Sequence, residues 1–225
     1  MGEAIGQVLS FGVGVALSPL PIVAVVLMLA TPRGRLNGPA FLLGWVVGIA
    51  VVGAGVLLAA SGASASDDGA PATWVSWLEL VLGAAAVLLG VKQFRDRPRG
   101  DAQPELPKWM RAIDRFTPGR SLAIAFALSA VNPKNLLLTV GAAAAIAQTG
   151  IPAGEQAVAL AVFVLIGTLG VGVPVAIYFG LGARSEQVLG ELRDWMARNN
   201  ATIMAVLLVV IGAKLVGDAV EGFTA

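Results

Sequence analysis

A lysine set deep in an apolar stretch is the residue of this sequence best placed to do chemistry. Lys134 falls within residues 121–147, with Asn132 and Pro133 before it, Asn135 after it and Ser129 upstream. It lies about 20 Å along a helix from Arg120, so its amine cannot easily snorkel to water. An ionisable group at that depth costs at least ~2.5 kcal/mol on insertion scales and is by default a site hypothesis. A buried cation attracts phosphate, sulfate or carboxylate and disfavours a cationic solute. The plainer alternative is a lysine that caps carbonyls freed by a broken helix, or that pairs with Glu79.

The prolines offer a second kind of chemistry. Pro19 and Pro21 follow Ser18 in the middle of an apolar span. Each lacks an amide hydrogen and clashes with the preceding turn, which is expected to release carbonyls around Val15 and Leu17 where lipid offers no donors. A neighbouring helix, Ser18, water or a substrate must then satisfy them. Pro133 makes the same opening among Ser129, Asn132 and Asn135. Pro174 joins Pro19, Pro21 and Pro133 as a candidate helix break or gate, against the alternative of tolerated kinks. Glu79, two residues after Trp77, is either a shallow hydrated carboxylate or a coupling group. Lys214 and Asp218, four residues apart, can share a helix face and complete the candidate coupling set, although Lys214, like Lys92, could simply snorkel.

The elements that position these residues follow from charge. Of 225 residues, 57% are apolar and 13% charged, about half the charged share of a soluble domain. Residues 4–32, 36–66 and 156–183 carry no charge at all, and each exceeds the ~20 residues that cross a bilayer core. Three further spans carry one interior charge each: Glu79, Lys134 and Lys214. Six transmembrane helices are therefore expected, because an open strand cannot satisfy its backbone in lipid. The amino end lacks the basic start of a signal peptide, so the first helix should be retained.

Basic residues cluster after the first, third and fifth spans, from Arg33 and Arg35 through Lys92–Arg120 to Arg184, Arg193 and Arg198. The positive-inside rule puts those connections in the cytoplasm and both termini outside it. Leu106, Trp109, Met110, Ile113 and Phe116 make a helical stripe in the central linker, and Val188, Leu189, Leu192, Trp195 and Met196 repeat it in the last loop. Both read as helices lying on anionic headgroups, with partner binding or gating as the alternative.

Cysteine and histidine are absent. That removes disulfides, thiolate chemistry, Cys/His zinc sites, haem ligation and histidine acid/base catalysis. No P-loop and no carboxylate pair is visible, so neither an enzyme nor direct use of ATP is expected. No cofactor, metal or nucleic-acid partner is implied.

The two halves of the chain echo each other. Ala16-Leu17-Ser18 before the first prolines matches Ala127-Leu128-Ser129 before Pro133. Gly53-Ala54-Gly55-Val56 matches Gly170-Val171-Gly172-Val173, and Gly90-Val91-Lys92 matches Gly212-Ala213-Lys214. Three helices per half is an odd number, so the second copy would enter the membrane from the opposite side, as in transporters with inverted repeats. The alternative is low complexity mimicking symmetry. The expected units are residues 1–93, a basic linker 94–120, and residues 121–225.

Together, Ser18-Pro19-Leu20-Pro21-Ile22, Asn132-Pro133-Lys134-Asn135, six helices and the basic linker resemble the LysE exporter superfamily over essentially the whole chain. Within it the chain is most similar to the GAP family of glycopeptidolipid and peptidoglycolipid addressing proteins, which includes the sulfolipid-addressing proteins. Ser-Pro-Leu-Pro-Ile replaces the Pro-Gly-Pro of many amino acid exporters. The resemblance implies export or transbilayer movement of an envelope glycolipid in the inner membrane, beside larger lipid-export machinery, with Pro19, Pro21, Asn132, Pro133, Lys134 and Asn135 as the functional core. Ser18, Ser129, Asn132, Lys134 and Asn135 are the expected substrate contacts, and a homodimer is the prior for assembly. An amino acid or ion exporter, and a scaffold that docks lipid-synthesis enzymes, are the alternatives.

Overall fold

The computed structural model describes residues 2–64, 73–95, 113 and 115–224. They form helices α1 (Gly2–Ala16), α2 (Pro19–Leu29), α3 (Gly34–Ser64), α4 (Thr73–Arg95), α5 (Pro118–Ala130), α6 (Pro133–Gln148), α7 (Ala153–Leu181) and α8 (Ser185–Thr224), with a 3-10 turn at Gly182–Arg184. There is no strand among the described residues. Four helices, α3, α4, α7 and α8, are each long and apolar enough to span a bilayer, and the count rises to six when each of two bent pairs is one span. The chain is a multi-pass membrane protein.

The bent pairs are α1 with α2, at 52°, and α5 with α6, at 62°. The prolines do not kink a continuing helix; they start a new one. Ser18 (φ −73°, ψ 106°) and Asn132 (φ −61°, ψ 121°) are extended, and Pro19 and Pro133 take the first helical position, where a fixed φ is preorganised and a missing amide hydrogen costs nothing. Pro174 behaves differently. It lies inside α7, which stays helical from Ala153 to Leu181, so it is not a break. Val173 stays within the helix, whereas Ser18 and Asn132, before the other prolines, are extended.

The short second halves form the interior. Nine of the eleven residues of α2 are buried, and α6 is buried through Ala142–Ile146, the signature of helices apolar on every side. The long helices α3, α4, α7 and α8 surround them and turn Leu58, Leu88, Leu165 and Val210 outward, as lipid-facing surfaces do.

Close backbone approaches fix how the long helices run. Space for a Cβ at Gly44 is taken by the Leu122 carbonyl, and at Gly170 by the Ala16 carbonyl. Further along the same pairs Gly48 meets Phe126 and, earlier, Gly12 meets Ile166, so α3 runs parallel to α5 and α7 parallel to α1. Between α4 and α8 the approach is mutual. A Cβ on Gly83 would sit 2.8 Å from the Gly212 carbonyl oxygen, and one on Gly212 would sit 2.7 Å from that of Gly83. Gly90 meets Ala205, so these two helices are antiparallel. The Trp45 Nε1 donates to the Gly167 carbonyl at 3.1 Å and ties α3 to α7.

The amphipathic stretch at Val188–Met196 is no separate loop helix. It is the first part of α8, continuous with the last span over 40 residues. Leu189 and Met196 are buried while Val188 and Trp195 are exposed. In the linker, Ile113 and Phe116 are buried, and the Asn37 Nδ2 donates to the Phe116 carbonyl at 3.0 Å. Leu106, Trp109 and Met110 lie outside the described residues.

Candidate functional site

The two chain breaks meet in one hydrogen-bond network. At the end of α1 the Ser18 amide turns to the Val15 carbonyl at 3.1 Å and Leu17 keeps its bond to Val13. Gly14 is therefore released and Val15, expected to lose its partner, keeps one, while Leu17, also expected to be released, gains no backbone donor among the described residues. The Lys134 ammonium donates to the Gly14 carbonyl at 2.8 Å. At the end of α5 the Val131 and Asn132 amides both turn to Ala127, which frees Leu128, and Asn135 Nδ2 donates to that carbonyl at 2.9 Å. At each break one freed carbonyl is thus taken up by a side chain from the first turn of α6.

Ser18 joins the two. Its Oγ accepts from Lys134 Nζ at 2.8 Å and donates to Asn135 Oδ1 at 2.8 Å. Ser18 occupies the capping position of α2 yet makes no cap with its side chain. Thr117 and Asn132, at the same position of α5 and α6, cap their own helices. Ser18 can be diverted because Pro19 and Pro21 have no amide hydrogen and Ile22 bonds the Ser18 carbonyl at 3.4 Å, leaving Leu20 as the one amide of the first turn without that provision.

Ser18, Lys134 and Asn135 are all buried, Lys134 to 4% exposure. No carboxylate among the described residues forms an ion pair with Lys134; its side-chain partners are a carbonyl and a hydroxyl. Glu79 is not its partner. An ammonium has three donors, and these two bonds use two. The amino ends of α2 and α6 converge here, and each carries the partial positive charge of a helix N-terminus. Chemically the arrangement offers an amine donor and two helix amino ends to an acceptor group.

The remaining expected contacts divide. Asn132 serves the backbone, its Oδ1 accepting from the Lys134 amide at 3.1 Å. Ser129 is outside the network: its Oγ donates to the Phe126 carbonyl at 3.0 Å, where the helix packs on Gly48. Gly14 and Leu128 are participants that sequence reasoning did not name, since a backbone carbonyl has no side-chain signature. Thr139, fully buried, adds a bond from its Oγ1 to the Asn135 carbonyl at 2.8 Å and steadies the turn that carries Asn135.

The site lies close to the outer surface of the bundle. Leu17 is 41% and Val131 67% exposed, and Pro133 is exposed too. At the far end of α2 a cavity of about 500 Å³ opens between α2, α7 and α8, lined by Val26, Leu29, Tyr178, Ser185, Glu186 and Arg193 among others.

Glu79, Lys214 and Asp218 form a separate group. Lys214 bonds Asp218 at 2.5 Å and stands 5.1 Å from the centre of the Phe11 ring. Glu79 is fully buried in α4, which goes against the hydrated alternative of the two readings of this carboxylate.

Among protein families, the family described as Sap, sulfolipid-1-addressing protein, matches residues 8–221. The match takes in both chain breaks and nearly all of α8. No curated protein and no solved structure matches the chain significantly.

Proposed function

The chain belongs to the sulfolipid-1-addressing protein family, and from that premise we propose that it moves an anionic envelope lipid, or a similar amphiphile, across the inner membrane by alternating access. The observation that carries this reading is Lys134, held inside the bundle by neutral acceptors among the described residues, where two helix amino ends converge. A sulfate, phosphate or carboxylate headgroup would take the third ammonium donor and replace Ser18 or Gly14 as a partner. Stronger, charge-assisted bonds to the anion favour that exchange.

Surface exposure supports a lipid over a small solute. With Leu17, Val131 and Pro133 at the outer face of the breaks, a headgroup can enter sideways while its acyl chains stay in the bilayer. The cavity of about 500 Å³ at the other end of α2 lies on the side that the basic residues assign to the cytoplasm, about 16 Å away along α2, and would be the aqueous approach.

The exchange of partners between halves supports the inverted-repeat, LysE-like architecture. The second span packs on the fourth and the fifth on the first, while the third and sixth meet through the reciprocal contact of Gly83 and Gly212. A pseudo-two-fold axis in the membrane plane produces that pattern. Broken helices crossing near such an axis are where these transporters bind substrate. Lipid-export machinery and a second copy of the chain are the partners this role would have.

Proteoliposomes of purified protein test the reading. Fluorescent anionic glycolipid should change leaflets with wild type and not with Lys134→Ala. Amino acid flux without lipid movement would return the chain to the small-solute exporters, and absence of both would favour the scaffold.

A further inference from the structure

Glu79 is a fully buried acid for which the lipid path has no use. Both of its carboxylate oxygens lack a hydrogen-bond partner among the described residues. Its helix packs against α8 and α6. From α8 the charged groups near it are Lys214 and Asp218, which bond each other. From α6, Gln148 lies beside it without a bond of normal geometry, and Gln148 Nε2 has no partner. On α4 itself Ser76, one turn earlier and fully buried, also has an unpartnered Oγ and packs where α8 has Gly222.

These are groups arranged around something they do not themselves supply. With both acids ionised, Glu79, Asp218 and Lys214 sum to one uncompensated negative charge, and the Lys214 ammonium is already engaged by Asp218 and the Phe11 ring. An ionised carboxylate in a bundle interior whose neighbouring donors, Ser76 Oγ and Gln148 Nε2, make no bond of normal geometry to it costs several kcal/mol, a cost that a counter-cation would offset. A divalent ion would overshoot the charge beside Lys214. We propose that Glu79, with Ser76 and Gln148, holds a monovalent cation, a proton or a sodium ion, at the junction of α4, α6 and α8. For a proton, the carboxyl O–H donates to Ser76 Oγ or to the Gln148 amide oxygen. For sodium, both carboxylate oxygens and Ser76 Oγ ligate, joined by the Gln148 oxygen once its amide turns over, an orientation that heavy-atom positions do not distinguish. That this cation drives lipid movement rests on the transport reading above; that it binds does not.

The test is made on full-length protein in lipid nanodiscs, without transport. Calorimetric titration with sodium chloride, against choline chloride, reads the sodium arm. Infrared absorption of an undissociated carboxyl in sodium-free buffer, with slow deuterium exchange, reads the proton arm. Wild type should give one of these signals and Glu79→Gln should lose it. Neither signal in wild type, or a signal unchanged in Glu79→Gln, overturns the site. Should Glu79→Gln fail to fold, Gln148→Leu keeps the carboxyl and should weaken sodium binding about 10-fold, equivalent to ~1.4 kcal/mol, or move the infrared band; no change in either overturns it. A cation signal in protein that moves no lipid supports the site and counts against the transport reading. Lipid movement with no cation signal overturns the site alone.

Discussion

Lys134 Nζ lies 2.8 Å from Ser18 Oγ, across 116 residues of chain. One residue follows a proline break and the other precedes one, so a single contact joins the two interruptions of the membrane-spanning helices. Disturbing it should affect both.

Replacing Lys134 by methionine keeps most of the volume and removes the donor to Gly14. Leaving that carbonyl unsatisfied should cost about 1–3 kcal/mol, read as a lower Tm of the detergent-purified protein. Headgroup binding and lipid movement should be lost. Lys134→Arg keeps the charge, but a planar fork cannot place donors as an ammonium does, so it should recover less than a tenth of the activity, equivalent to ~1.4 kcal/mol or more. Activity near wild type in the arginine variant would mean that charge alone suffices.

Ser18→Ala and Asn132→Ala separate the network from capping. The serine makes no cap to lose, so its removal should reduce lipid movement strongly while stability falls by no more than one or two hydrogen bonds' worth, about 1–2 kcal/mol. Asn132 caps α6, and its loss should cost about 1 kcal/mol of stability with a smaller effect on transport. Initial rates and thermal unfolding, measured on the same preparations, check the contrast.

The seam between α4 and α8 should reject side chains. Gly83→Val or Gly212→Val would drive a Cβ into the opposing carbonyl, and overpacking of this kind costs about 1–3 kcal/mol. Gly217 has open space around its missing Cβ, so Gly217→Ala should leave stability unchanged or raise it by up to ~1 kcal/mol, read as an equal or higher Tm. Equal behaviour of Gly212→Val and Gly217→Ala would show that the seam is not formed.

Substituting both Pro19 and Pro21 by alanine restores two amide hydrogens and lets α1 continue into α2. Lipid movement should fall because Ser18 is drawn into a helical turn, away from Lys134. Stability should hold, since alanine is the better helix former. Circular dichroism should show a small gain in helix, and disulfide trapping between introduced cysteines near residues 18 and 134 should become slower.

Much of this was legible beforehand because lipid narrows the choices. Stretches with no charge or a single interior one mark the spans, and Ser-Pro and Asn-Pro pairs mark the breaks. What they could not give is how the freed carbonyls are shared out. Gly14 rather than Val15 is released because Ser18 tightens the last turn by one residue, a choice set by the bend and not by any side chain. Lys134 could equally have sought Glu79 on paper; packing puts the acid between α4 and α8 and the lysine against α1. Ser129 repeats Ser18 in sequence but not in role, because Phe126 and Gly48 claim it. Pro174 has no extended residue before it, and its helix runs on from Ala153 to Leu181.

The length of α8 has a mechanical meaning. Its 40 residues make a rod about 60 Å long, roughly twice the ~30 Å hydrocarbon thickness, and no proline divides it. A rod of that length cannot be turned at one end and left still at the other. A grip on the stretch around Arg193 would therefore be felt where α8 crosses α4 at Gly212. The bilayer surface would then act as a hand on a lever whose short arm carries Lys214 and Asp218.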